Sequence, residues 1–199
     1  MPSGIAITVA VEGVIDEAVV KRLIEHVGGV PGEVHGGKGK MEIRKRFAGY
    51  VHAARFSPWM VLVDLDQDAD CAPLLRAGWL SAQEEQLCFR VAVRAVEAWL
   101  LADAKSIARF LRIEQRLVPP DPESLLDPKI KLVEVARESR NRDLRADIVP
   151  RPHSGRKTGP AYVSRMIEFV HGNWQPDRAA QRSESLRRAI EALRRLCAR

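Results

Sequence analysis

The stretch from Trp59 to Asp70, WMVLVDLDQDAD, constrains the fold of this chain more than any other. Its apolar half is short and rich in valine. Its second half places aspartate at every second position: Asp64, Asp66, Asp68 and Asp70. A short apolar run ended by acids reads as a buried strand. In a parallel sheet its acids emerge at the carboxyl end of the strand, where open α/β sheets keep their ligand crevices.

The neighbouring sequence supplies the rest of such a sheet. Ile5 to Val11 is β-branched and apolar on both faces, as parallel strands are, and ends at Glu12-Gly13. A helix follows, with Asp16 as its cap and Val19, Val20, Leu23, Ile24 and Val27 at helical spacing before Gly28-Gly29. Glu33-Val34-His35 is a brief strand, and a glycine-rich basic loop runs on to Lys40. Met41 to Arg55 is an amphipathic helix leading into the aspartate-rich strand. Ala72 to Leu80 supplies one or two helical turns. Leu87 to Val93 is a further buried strand, and helix continues from Val96 through Leu111. Pro119, Pro120, Pro122 and Pro128 mark an extended connector. Beyond it only helices are expected, at 130–139, 161–171 and 178–196, with an Arg-, Gly- and Pro-rich loop over 140–160. The predicted architecture is a doubly wound α/β domain over residues 1–112 with a helical extension over 113–199.

Composition narrows the class. At 199 residues, 46% hydrophobic and 29% charged, the chain resembles an ordinary globular protein, and no apolar run nears the roughly 20 residues of a membrane helix. The start, Met1-Pro2-Ser3-Gly4, lacks the pattern of a signal peptide, so a cytoplasmic location is expected. Three cysteines without CxxC spacing suit a reducing compartment and do not suggest zinc. The net charge of +6 is compatible with a polyanionic partner such as nucleic acid.

The acids carry the chemistry. On an extended chain Asp64 and Asp66 face one side, and a parallel neighbour ending in Glu12 brings a third carboxylate to the same edge. Such a cluster suits Mg²⁺ or Mn²⁺, hard cations that take oxygen ligands and keep waters for a substrate phosphate. The same residues also suit a solvated turn, with Asp68 or Asp70 capping a short helix. A calcium EF-hand loop from Asp64 fails, because Ala69 stands where glycine is needed and Leu75 where glutamate is needed. Gly32 to Lys38 has GxxxxGK spacing, yet Gly39 replaces the Ser or Thr of a P-loop, leaving Lys38 and Lys40 as phosphate contacts on a loop. Arg94 and Glu97 lie three apart on the first turn of a helix, facing one cleft or forming an intrahelical pair. Trp59, Trp79 and Trp99 read as core. Arg156, Lys157 and the arginine-rich last helix suit either phosphate contact or a solvated face.

Glu12-Gly13 after the first strand, Asp64-Leu65-Asp66 after a later one and the run RAVEAWLLAD at 94–103 together resemble a Toprim domain. That is the topoisomerase-primase fold also found in overcoming-lysogenization-defect nucleases. The last run also looks like a bacterial Toprim-like family of uncharacterised function whose members are suspected partners of ATPases in phage defence. The resemblance covers about the first 112 residues and implies a Rossmann-like (Toprim-like), mostly parallel sheet flanked by helices. It implies Glu12 as metal ligand or general base and Asp64 and Asp66 as metal ligands, with Asp68 peripheral and Glu97 completing the site. Arg94, Lys38, Lys40, Arg156 and Lys157 would bind phosphate or nucleic acid. No topoisomerase-like tyrosine accompanies them: Tyr50 is expected mid-helix and Tyr162 in a basic helical region. The expected activity is Mg²⁺- or Mn²⁺-dependent phosphodiester hydrolysis of DNA or RNA. The alternatives are a non-catalytic partner of an ATPase and a DxD phosphatase of the haloacid-dehalogenase type.

Overall fold

The structure, a computed structural model, describes residues 4–80 and 84–198. Four strands, β1 (Ala6–Val11), β2 (Val30–Gly36), β3 (Trp59–Asp64) and β4 (Leu87–Ala92), form one wholly parallel sheet in the order β2-β1-β3-β4. The crossovers are α1 (Val14–His26), α2 (Lys40–Ala53) and α3 (Ala72–Trp79). The chain steps outward from β1 to β2, returns across β1 to β3, and then steps outward the other way to β4. The strand order therefore reverses between β1 and β3, and in open α/β sheets the ligand crevice lies outside the carboxyl ends at such a switch point.

Alternation along the strands divides the core into two layers. Ile7, Val9, Val11, Met60, Leu62, Cys88 and Ala92 pack on the face covered by α1, while Ala10, Trp59, Val61, Val63, Phe89 and Val91 pack on the face covered by α2 and α3. Both faces are buried, as the valine-rich runs require.

The remaining helices, α4 (Val96–Ala102), α5 (Ala104–Leu111), α6 (Pro128–Arg137), α7 (Arg142–Ile148), α8 (Tyr162–Gly172), α9 (Pro176–Ala180) and α10 (Glu184–Cys197), extend the α1 layer. One apolar cluster runs from Leu23 and Ile24 of α1 through Trp99 and Leu100 of α4 to Phe169, Trp174 and Leu193. Trp99 is core, as expected, and fully buried. Among the described residues no helix is long and apolar enough to cross a membrane.

Three helical expectations change, each through a cap. The expected continuous helix over 96–111 breaks at Asp103, whose carboxylate accepts the Ser106 N–H and starts α5. The helix expected over 178–196 breaks before Ser183, which caps α10 by accepting the Leu186 N–H. The loop expected over 140–160 contains α7, started by Asn141, which accepts the N–H groups of Asp143 and Leu144.

Candidate metal and phosphate site at the switch point

Glu12 lies immediately beyond β1 and Asp64 ends β3, so the two strands flanking the switch point deliver their carboxylates to one edge. They are joined directly, because the Asp64 N–H donates to Glu12 Oε1 at 2.8 Å. Asp64 Oδ1 in turn accepts the Val96 N–H at 3.0 Å, which fixes the start of α4 over the site. Glu97, the next residue, is 1% exposed. Its Oε1 accepts from the Tyr162 hydroxyl at 3.0 Å and lies 3.4 Å from Lys129 Nζ. Asp16, also buried, accepts the Gly13 N–H at 2.7 Å and so closes the first turn of α1 over the same edge. Gly13, not Asp16, is the N-cap of that helix.

The loop between β2 and α2 folds onto β1: the Gly37 N–H donates to the Val11 carbonyl and the Gly39 N–H to the Glu12 carbonyl. Gly36 makes this approach possible, since its φ is +110° and a β-carbon there would meet the Val11 carbonyl oxygen at 2.0 Å. Lys40 is thereby brought over the site, where its Nζ bridges Asp66 at 2.6 Å and Asp68 at 2.7 Å.

Four carboxylates, Glu12, Asp16, Asp64 and Glu97, thus share a poorly solvated edge. Burial, then the Glu97 carboxylate, pushes Asp16 up to about 7. Burial and the charges of Asp16, Glu97 and Glu12 hold Asp64 well above the usual carboxylate range, and burial also raises Glu12. Two ammonium groups answer this charge. Burial works against the charged form of Lys129, but Glu97 outweighs it and raises the lysine; Asp66 and Asp68 do the same for Lys40. Burial and Glu97 together push the Tyr162 hydroxyl well up, so it remains a donor.

Outside the start of α4 opens a cleft of about 410 Å³. Asp64, Asp66 and Asp68 line it beside the cationic Arg94, Lys129 and Lys157. Asp64 and Asp66 do not present one extended side: Asp66 has left turn-like backbone with φ 49°, so Asp64 points inward while Asp66 is exposed toward Lys40. Arg94 and Glu97 do not share a face either. Arg94 precedes α4 and donates to the Asp66 carbonyl, whereas Glu97 is buried against Tyr162.

The remaining expected residues are spread out. Lys38 is exposed on the glycine loop, and Gly32 lies inside β2, which leaves no phosphate-cradling P-loop. Arg156 lines a separate cleft with Arg151 and Thr158, while its neighbour Lys157 reaches the acidic one. Among the described residues Asp70 caps no helix; Cys71 is the N-cap of α3 and makes no side-chain cap bond.

Asp16, Lys129 and Tyr162 were not legible as site residues from motif spacing. Two of them had a signal. Asp16 lies in register with Val19, Val20 and Leu23, and Tyr162 with Met166, Phe169 and Val170, so each places a polar group on a buried stripe. Lys129, near the start of α6, had none.

The buried carboxylate oxygens at this edge, with proton affinity raised by burial and by one another, lack full compensating charge. Among the described residues no three His, Cys, Asp or Glu side chains stand together as a ready cation cage. No family model matches the chain, and neither do curated proteins nor solved structures.

Proposed function

We propose that the chain is a divalent-metal-dependent phosphodiesterase of Toprim type acting on nucleic acid. The observation that carries this reading is the cleft at the switch point, where Asp64, Asp66 and Asp68 face Arg94, Lys129 and Lys157. Carboxylates and cations lining one cleft suit a metal ion and a phosphodiester together. The Toprim resemblance of Glu12, Asp64 and Asp66 supports the same assignment.

In this reading Glu12, Asp64 and Asp66 would hold Mg²⁺ or Mn²⁺, with Asp68 at the periphery. The bound ion would supply charge stabilisation at the phosphate and a lowered pKa for a water molecule. Arg94, Lys129 and Lys157 orient the phosphate. Glu97, held by Tyr162 and Lys129, fixes the position of Lys129 at the cleft wall. Water would add to phosphorus as the P–O ester bond breaks, the proton of the attacking water passing to solvent and the departing oxygen taking a proton from solvent, with Glu12 kept as a ligand.

The test is cleavage of labelled single- and double-stranded DNA and RNA with Mg²⁺ or Mn²⁺. Wild type is expected to cut at least one substrate, and Asp64→Asn and Asp66→Asn are expected to lose about 10²-fold or more, as removal of a group that stabilises transition-state charge does. Equal cleavage by wild type and the double variant, or none by wild type with any divalent metal, overturns the assignment.

A further inference from the structure

A second cleft, of about 660 Å³, lies elsewhere. It lies along β4, at the edge of the sheet, between α3 and the start of α10. Its volume is in the range of sites that enclose small molecules. Its floor is apolar, made by Leu65, Phe89, Val91 and Val93. Phe89 is itself buried and stacked on Trp79 at 5.6 Å, so the floor is rigid.

Four arginines line the same cleft: Arg76 from α3, Arg90 from β4, Arg94 before α4 and Arg188 from α10. The Nε atoms of Arg76 and Arg90 are buried and have no hydrogen-bond partner among the described residues. The Arg90 side chain hydrogen-bonds Cys88, so it is the Nε–H of each arginine that lacks an acceptor; a buried N–H without one is unfavourable, and a bound anion would supply it. The acidic residues in the lining do not fill the role. Glu123 is occupied by the hydroxyls of Ser183 and Ser185 and the Ser185 N–H, and Glu184 is paired with Arg187 and Arg188. Asp70 is exposed.

We infer that this cleft binds a nucleotide, with the phosphate on Arg76 and Arg90 and the flat base against Val91, Val93 and Leu65. Guanidinium groups match phosphate oxygens in paired geometry, and the apolar floor suits a base better than an inorganic ion or a simple sugar phosphate. The site is separate from the acidic one, with Arg94 in the lining of both. It does not depend on metal-assisted hydrolysis.

Isothermal titration of the full chain with AMP, ATP and GTP, with pyrophosphate, and with a short single-stranded oligonucleotide tests the assignment without added metal. Nucleotide binding that weakens with added salt and falls at least tenfold in Arg76→Gln is expected, with Lys105→Gln, at an exposed position on α5 outside the cleft, binding as wild type. Ala77→Trp, an exposed position on α3 at the cleft wall, should block binding by bulk without changing charge, and its melting temperature reports whether it is folded. Binding of mononucleotides assigns the site to a free nucleotide. Binding of the oligonucleotide alone, lost in the same two variants, assigns it to a nucleotide within a strand. No binding of either, equal affinity in all variants, or pyrophosphate binding as tightly as ATP overturns the assignment.

Discussion

At the scale of single residues, the site is defined by carboxylates that fold against their own charge. Asp16 is 8% exposed and its carboxyl is raised to about 7 by burial and by Glu97. The folded protein therefore holds a proton there over a range in which the unfolded chain, with an ordinary aspartate, has released it. The stability this proton supplies is complete below about pH 4 and is lost as pH rises toward about 7, amounting to at most about 4 kcal/mol if Asp16 acts alone. Melting temperature is thus expected to fall between pH 5 and pH 8 at fixed ionic strength. Asp16→Asn keeps the shape and removes the titration, so it should melt above wild type at pH 8 and near it at pH 5. Asp64, raised by burial and by the same neighbours, should leave the variant a reduced slope. A wild-type melting temperature that rises over this range contradicts the electrostatic picture. A divalent cation at the proposed site would act on the same balance from the other side, by binding the deprotonated carboxylates. Mn²⁺ should raise the melting temperature more at pH 8 than at pH 5.5, and Asp64→Asn should lose most of that gain in a thermal-shift titration.

At the scale of elements, the helical extension is held to the α/β part by polar anchors set in apolar surroundings. Asp103 is fully buried between α4 and α5 and binds Arg178 through both oxygens, Nε at 2.6 Å and Nη2 at 3.1 Å. It also accepts the Gln175 N–H at 2.9 Å, which fixes the start of α9. Asp103→Ala would strand two backbone donors, the Ser106 and Gln175 N–H groups, and one side of a partly exposed guanidinium, at a cost of about 2–4 kcal/mol. Urea unfolding should show the midpoint shifted with the slope preserved. These anchors also explain what the sequence disclosed and what it did not. The strands and the first two helices were legible because valine runs and the spacing of Val19, Val20, Leu23 and Ile24 repeat over several turns. The breaks at Asp103 and Ser183 were not, because the residues on both sides keep a helical pattern and only a single cap interrupts it. The site was half legible for a related reason. Glu12 and Asp64 stand at strand ends, where position follows from the sheet, whereas Lys129 and Tyr162 reach Glu97 from helices more than thirty residues apart in sequence, and no local pattern reports that meeting.

At the scale of the whole molecule, the sequence divides near residue 112 while the core does not. Leu23, Ile24, Trp99 and Leu100 are all fully buried, and they belong to the same apolar cluster as Met166, Phe169, Trp174 and Leu193 of the extension. Removing residues 113–199 would leave these side chains uncovered on the α1 face of the sheet. Each large apolar side chain returned to water costs about 1.5–3 kcal/mol, so loss of cover over only four of them is comparable with the roughly 5–15 kcal/mol of net stability typical of a domain. The extension also brings Tyr162 and Lys129 to Glu97, so its removal leaves a buried carboxylate without partners at the same edge. A fragment of residues 1–112 is therefore expected to lack a cooperative thermal transition and to bind a hydrophobic dye, while the full chain unfolds in one step. Cooperative melting of the fragment near the temperature of the full chain would show instead that the α/β sheet carries its own stability and that the helices are an addition to it.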